Sequence, residues 1–361
     1  MAMQYQRYFF GGRDNKPGPS ESEKLEAVSR DNPKSPFSRF IGNDKAVRKL
    51  QTAAYVALGH PNHEMRDLAF SVFGPSSSGK TTLVRLYAET VELPYVEVSP
   101  KQIKSLDDLF KEFSRVLSEA NFPLVEVKPS HYTIPPTVVL IDEVHALSNN
   151  VVQGLLKATE FNDGIMATET GKIVNTQHIT WFIATTDEGK LFDAFRTRFS
   201  PLVLQLLNTR EVSSIVKLAN PELSQEVCDM VAHFNSRVPR KALEFARYMK
   251  MFKLMYRHLS WDAVAKQVAL DDGIDEYGMH EVHLKILRAL GQGPIARNRI
   301  SLVAGRKEEE VEKFILPWLM VETDDQPALV IVKSKGYTIT DAGLAELDKR
   351  GILHLGKKAR G

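Results

Sequence analysis

The chain is 361 residues long, enough for two or three domains, and its charged and apolar fractions, 25% and 43%, are those of an ordinary water-soluble protein. A net charge of only +2 excludes a uniformly basic nucleic-acid coat, so any polyanion has to be held by local cations. A single cysteine, Cys228, excludes an internal disulfide, and no apolar run approaches the ~18 residues of a membrane span, so a cytoplasmic protein without a membrane partner is expected.

Residues 1–36 mix Gly, Pro, Ser, Asn and alternating charge without a sustained period, and read as a flexible tail broken only by Phe9-Phe10. Phe37 to Gly42 comes next, followed by a helical pattern from Asn43 to about Leu58; Ile41 is the candidate for an apolar contact with a nucleotide base. The run from Leu68 to Phe73 reads as a buried strand, and Thr82 to Ala88 as a helix.

Between them stands Gly74-Pro75-Ser76-Ser77-Ser78-Gly79-Lys80-Thr81, which fits the phosphate-loop (P-loop) pattern G-x-x-x-x-G-K-[ST] in the strand–loop–helix context that the pattern requires. Its glycines let backbone N–H groups turn inward on phosphate oxygens, and the helix that follows begins with partial positive charge. Lys80 is placed to reach the β- and γ-phosphates of ATP, Thr81 to bind Mg²⁺, and Thr82 completes the first turn.

Downstream, Tyr95–Val98 reads as a strand and Ser105–Glu119 as a helix with Leu106, Leu109, Phe110, Phe113 and Leu117 on one face. The Pro-rich stretch 121–136 reads as a surface excursion. Thr137–Ile141 is a continuous apolar run of the kind a central parallel strand shows, and it ends in Asp142-Glu143. A carboxylate pair at that place fits Asp142 as a Mg²⁺ ligand and Glu143 as the base that orients and deprotonates an attacking water. Turn signals at Asp163-Gly164 and Thr170-Gly171-Lys172 predict a β-hairpin, and Thr180–Ala184 a further buried strand. That strand ends in Thr185-Thr186, with Thr186 where a γ-phosphate sensor would lie.

Arg196 and Arg198, flanked by Phe195 and Phe199, are candidates for an arginine finger supplied to a neighbouring subunit. From Thr209 to about Leu270 the pattern is helical; Pro239 stands in the first turn of one helix, and Arg240 beside it is a candidate for acting on nucleotide in cis. Helical patterns at 279–290, 295–303 and 308–318, two short strands around Lys335-Gly336 and a last helix at 340–349 make a winged-helix pattern. Its acidic and basic residues nearly balance, with local cations at Arg297, Arg299, Arg306, Lys307, Lys333 and Lys335, so DNA contact and protein docking both stay open.

Together these motifs resemble AAA+ ATPases and, more narrowly, the RuvB family of Holliday-junction branch-migration motors. The resemblance rests on Asp142-Glu143-Val144-His145-Ala146-Leu147, Ala184-Thr185-Thr186, Phe195 to Ser200, Val238-Pro239-Arg240, Gly273 to Met279, Gly293-Pro294 and Pro317-Trp318-Leu319, and spans about residues 37–347. It implies an α/β AAA+ P-loop core with a parallel sheet over 37–206, a helical lid domain over 207–272, a winged-helix domain over 273–350 and a tail over 351–361. It also implies a hexameric ring on duplex or branched DNA, ATP hydrolysis with Mg²⁺, and a junction-binding adaptor. By register with the family segment, Arg196 is preferred to Arg198 as the finger. Departures mark a divergent member: serines at 76–78, a differently composed hairpin at 162–177, Asp187 after the sensor and Asp324-Asp325 before the wing. The competing reading is an AAA+ loader or switch that remodels a protein–DNA assembly, which a DNA-blind ATPase would favour.

Overall fold

The computed structural model describes residues 19–59, 69–160, 163–235, 238–275, 278–320 and 327–352. Phe9-Phe10, Asp324-Asp325 and the C-terminal residues from 353 onward lie outside these segments. The chain divides into two compact units, residues 1–206 and 207–361.

The first unit is built on a five-stranded, wholly parallel sheet. Its strands are β1 (Phe70–Phe73), β2 (Tyr95–Val98), β5 (Thr137–Ile141), β8 (Ile179–Thr185) and β9 (Ser200–Val203), in the order β2-β5-β8-β1-β9. Helices cover both faces, which is why β5 and β8 are apolar at nearly every position and fully buried. Alternation survives inside the continuous run. Val139, Ile141, Trp181 and Ile183 face the helices Leu106–Glu119 and Asn149–Ala158, whereas Val138, Leu140, Phe182 and Ala184 face the helices Asp44–Gly59 and Lys80–Thr90. The Phe182 ring stacks on Phe70 at 5.1 Å and meets Tyr87 edge-on at 5.3 Å, locking the phosphate-loop strand and its helix to the centre of the sheet.

Three features differ from the sequence-based expectation. First, the segment before Phe37 is built into the unit: Ser20 caps the helix Glu21–Val28 with a capping box, Val28 is buried, and Gln51 Nε2 donates to the Val28 carbonyl at 2.5 Å. Its helical period is too short and too polar to register as a packed element. Second, residues 121–136 are not a featureless excursion. They hold β3 (Val125–Lys128) and β4 (His131–Thr133), an antiparallel pair that joins the hairpin β6 (Ile165–Ala167) and β7 (Ile173–Asn175) in a separate sheet of order β3-β4-β7-β6. The turn of that hairpin is tied to the body: Glu169 accepts from the N–H groups of Leu106 and Asp107, and Asp107 accepts from the Thr170 N–H at 3.0 Å. Third, β9 escapes sequence reading because Pro201 interrupts its pattern, yet it closes the sheet beside β1.

The second unit holds two cores. The helices Thr209–Ala219, Gln225–Phe234, Pro239–Met255 and Trp261–Asp271 surround one core, with Cys228 buried inside it and its thiol pushed up by burial. The other gathers the helices Glu281–Gly291, Ile300–Ala304 and Leu316–Met320, a two-stranded wing of β10 (Val330–Lys333) and β11 (Gly336–Ile339), and the helix Asp341–Lys349. Ile295 is not the start of a helix. It bridges antiparallel to Tyr337 of the wing, and Gly336 is required there because a Cβ would come within 2.2 Å of the Ile295 carbonyl oxygen.

Candidate active site

The carboxyl ends of three neighbouring strands meet at one edge of the sheet. Phe73 of β1 is in register with Thr185 of β8, and Ile183 of β8 with Ile141 of β5. The residues that follow β1 and β5, Gly74 and Asp142-Glu143, therefore come out beside Thr185-Thr186. This is the crevice where open α/β sheets take ligands.

The phosphate loop is shaped by what cannot fit. A Cβ on Gly74 would come within 2.8 Å of the Leu204 carbonyl and 2.9 Å of Ser78 Oγ. Gly79 has φ +94, a left-handed conformation that other residues avoid, and its missing side chain lets the Phe40 ring approach to 3.0 Å of the Cβ position. Ser77 also adopts a left-handed backbone, with φ +63. Lys80 opens the helix and is buried; its ammonium donates to the carbonyls of Gly74 at 2.8 Å and Pro75 at 3.1 Å, lying across the loop. Ser78 Oγ is buried and has no hydrogen-bond partner among the described residues. A cradle that excludes side chains, a buried ammonium and an orphaned buried hydroxyl suit a phosphate chain.

Ile41 is half-buried next to Phe40, on a segment pinned by Asn43, whose side chain accepts from Gln205 N–H at 2.7 Å. Pro75 and Thr81 are half-buried, while Ser76 and Thr82 are exposed.

At the end of β5 the Asp142 carboxyl is raised above the ordinary carboxylate range. Burial is the main cause, the neighbouring Glu143 and Glu97 charges add to it, and the Lys80 ammonium opposes it. A carboxylate whose ionised form is disfavoured in this way gains from a cation, so the donor set of Asp142 and Thr81 suits Mg²⁺. Glu143 lies in the left-handed region, φ 54, which a non-glycine residue holds only when its surroundings impose it. Glu143 N–H donates to Asp142 Oδ1 at 3.1 Å, and its side-chain contacts fall on one oxygen: Oε2 accepts from Thr186 N–H and Thr186 Oγ1, both at 3.3 Å, and lies 3.3 Å from His145 Nδ1. His145 Nδ1 is also 2.9 Å from Thr185 Oγ1.

The structure thus brings the phosphate loop, Asp142, Glu143 and Thr186 together. It places Arg196 and Arg198 elsewhere, on the short helix Asp193–Arg198. Arg196 donates to the carbonyls of Leu191 at 3.2 Å and Glu188 at 2.6 Å, and Arg198 donates to the Leu156 carbonyl and lies 3.7 Å from Glu160. Pro239 and Arg240 belong to the second unit, where Pro239 is the first residue of its helix and Arg240 is exposed. The sequence marks Thr185 only as a strand-end hydroxyl beside the sensor and His145 only as part of a motif, and it assigns neither His145 nor Phe40 a role at the site. The signal for His145 was its place two residues beyond Glu143 in a turn at the end of a strand.

A phosphate loop after β1 and a carboxylate pair after β5, on either side of the central strand β8 of a parallel sheet, make the core of a P-loop ATPase, and residues 70–205 match the family described as ATPase family associated with various cellular activities (AAA). Within that class the chain resembles RuvB. It is 27% identical over 296 residues to the Holliday junction branch migration complex subunit RuvB of Helicobacter pylori, covering 78% of this chain and 82% of that protein. It is 23% identical over 346 residues to the corresponding subunit of Lactobacillus johnsonii, covering 91% and 94%. The solved structure of Thermotoga maritima RuvB, a Holliday junction branch migration motor, superposes with a TM-score of 0.65 at 21% identity, over 90% of this chain and 98% of that one, and so shares the fold. These comparisons do not favour the loader or switch reading.

Proposed function

We propose that the protein is a DNA-translocating ATPase of RuvB type that drives branch migration at four-way junctions. The observation that carries the reading is the meeting of phosphate loop, Asp142, Glu143 and Thr186 at the ends of β1, β5 and β8, in a chain whose relatives over most of its length are named for that activity. ATP is the substrate, with its phosphates on the loop N–H groups and Lys80, and its base beside Ile41. Thr81 and Asp142 would hold Mg²⁺, which when bound would supply charge neutralisation for the phosphates. Glu143 takes the proton of the attacking water, and Thr186 senses the γ-phosphate. Arg196, and secondarily Arg198, serve a neighbouring protomer's site in a ring. Arg240 serves the nucleotide of its own protomer.

DNA contact falls to the second unit. Arg297, Arg299, Lys333 and Lys335 are exposed there, whereas Glu308 to Glu310 load the first turn of their helix with negative charge and turn that end away from phosphates. Exposed Met251, Leu254 and Met255 at the end of the helix Pro239–Met255 favour self-association. Among the described residues no helix is long and apolar enough to cross a membrane, and a cytoplasmic location fits work on DNA.

The test is ATP turnover with and without duplex and four-way-junction DNA across a salt series. Stimulation by DNA, and a fall in log binding against log salt of about 0.9 per phosphate contact, are expected. ATP turnover that ignores DNA at every salt concentration would refute the motor and leave the ATPase. Glu143→Gln is expected to bind ATP and not hydrolyse it.

A further inference from the structure

The first helix and the turn behind it take no part in the chemistry, yet they end on the wall of the nucleotide crevice. The helix Glu21–Val28 and that turn lie ahead of residues 70–205, which carry the phosphate loop and the carboxylate pair. The turn is fixed by its own polar groups: Asn32 Nδ2 donates to the Glu26 carbonyl at 2.8 Å, and Ser35 Oγ donates to the Ala27 carbonyl at 2.7 Å. What this fixed turn presents to the rest of the unit is Arg30.

Arg30 is half-buried, and its guanidinium acts as a fork. One terminal nitrogen donates to the Phe40 carbonyl, and the other pairs with the Asp44 carboxylate at 2.5 Å. Phe40 and Asp44 are the two ends of the turn that carries Ile41. Between them the backbone bends through two consecutive left-handed residues, Gly42 at φ 76 and Asn43 at φ 51, a shape kept where surrounding contacts impose it. Two further contacts hold the turn on its nucleotide side. Asn43 accepts from Gln205 N–H at 2.7 Å and donates to the Gln205 carbonyl at 3.3 Å, and the Phe40 ring lies against Gly79 of the phosphate loop. Of these anchors Arg30 is the one that spans the turn, gripping it before and after Ile41.

We infer that Arg30 is a positioning residue for the nucleotide: by bridging the two ends of this turn it sets the Ile41 wall in the shape that receives the base before ATP arrives. The inference rests on the proposed contact of Ile41 with the base. A wall already held in shape loses little conformational freedom when the ligand binds, and affinity gains accordingly. The phosphates are left to the loop N–H groups and to Lys80, whose ammonium lies on the Gly74 and Pro75 carbonyls. Removing Arg30 therefore weakens the hold on the base and spares the hold on the phosphates.

The experiment is calorimetric titration of the full chain with a slowly hydrolysed ATP analogue and with inorganic tripolyphosphate, each with Mg²⁺, alongside steady-state ATP turnover. Arg30→Ala is expected to weaken analogue binding about five-fold, the factor equivalent to one modest hydrogen bond, with tripolyphosphate affinity unchanged, and to raise KM without lowering kcat. Arg30→Lys, whose single ammonium cannot fork to both ends of the turn, is expected to fall between Arg30→Ala and wild type. Asp44→Ala removes the other half of the pair at an exposed side chain; it is expected to shift the analogue in the same direction, and carries the test should Arg30→Ala fail to fold. Wild-type analogue affinity in both variants, or a parallel loss of analogue and tripolyphosphate, with Ile41→Ala weakening the analogue alone, overturns the clamp and leaves Ile41 at the base. Wild-type analogue affinity in Ile41→Ala removes the base contact, and the clamp with it.

Discussion

Acid should loosen the second unit through one side chain. His283 is buried, its ring stacked on Trp318 at 4.4 Å and 21°, and its Nδ1 has no hydrogen-bond partner among the described residues. Burial, reinforced by the nearby His280 and Lys241 charges, pushes its pKa from 6.5 down to about 3. The sign follows from proton counts. Above the ordinary value neither state binds a proton, whereas between 6.5 and 3 the unfolded chain binds one that the folded chain refuses. Stability therefore falls as pH drops below 6.5, by about 1.4 kcal/mol per pH unit, or about 2 kcal/mol at pH 5. His280, also lowered by burial, acts in the same direction. The measurement is urea unfolding at pH 7 and pH 5 of the full chain carrying Trp181→Phe and Trp261→Phe, so that Trp318 alone reports. His283→Phe keeps an aromatic ring against Trp318 and removes the titration, and should lose about 2 kcal/mol less than its parent over that interval. Equal losses in the two proteins would refute the reasoning.

Gly79→Ala should abolish nucleotide binding while the chain still folds: the left-handed conformation costs about 1–2 kcal/mol, and the added carbon meets the Phe40 ring at 3.0 Å, checked by analogue titration and thermal melting. The raised pKa of Asp142 means that its ionised form is paid for by the fold at neutral pH. Asp142→Asn should accordingly melt no lower than wild type without metal while losing Mg²⁺-dependent turnover. In the wild type the Mg²⁺ concentration for half-maximal turnover should rise as pH falls toward the raised value, and a flat dependence would remove Asp142 as the titrating ligand. Arg196→Ala, mixed with wild-type chains, should depress turnover by more than its mole fraction, because a finger acts on its neighbour; strict proportionality in mixing assays would place Arg196 outside any shared site.

The chemistry of the site was legible in the sequence because it is carried by short contiguous stretches. Phe70 to Thr81 and Thr137 to Glu143 each hold a strand, a turn and the reacting groups in a single run, and the four consecutive apolar residues Val138–Ile141 are difficult to read as anything but a buried parallel strand. Ser200–Val203 and Val125–Thr133 were not legible. The first is interrupted by Pro201 and is a strand only because β1 offers it an edge, and the second has exposed residues at most positions, so no period marks it. The helix Glu21–Val28 shows little amphipathicity, and its place in the unit depends on the Gln51 and Asp44 side chains that reach it and the Arg30 beyond it.

What the sequence determined alone is the phosphate grip and the carboxylate pair, since their function depends on residue type and close spacing along the chain. What only the tertiary structure decided is the state of those groups. The lift on the Asp142 carboxyl needs burial and the charges of Lys80, Glu143 and Glu97, and the hold on Glu143 needs Thr186 and His145 brought to one oxygen by strand register. Groups forty residues apart become neighbours through the pairing of β5 with β8, which no local pattern encodes.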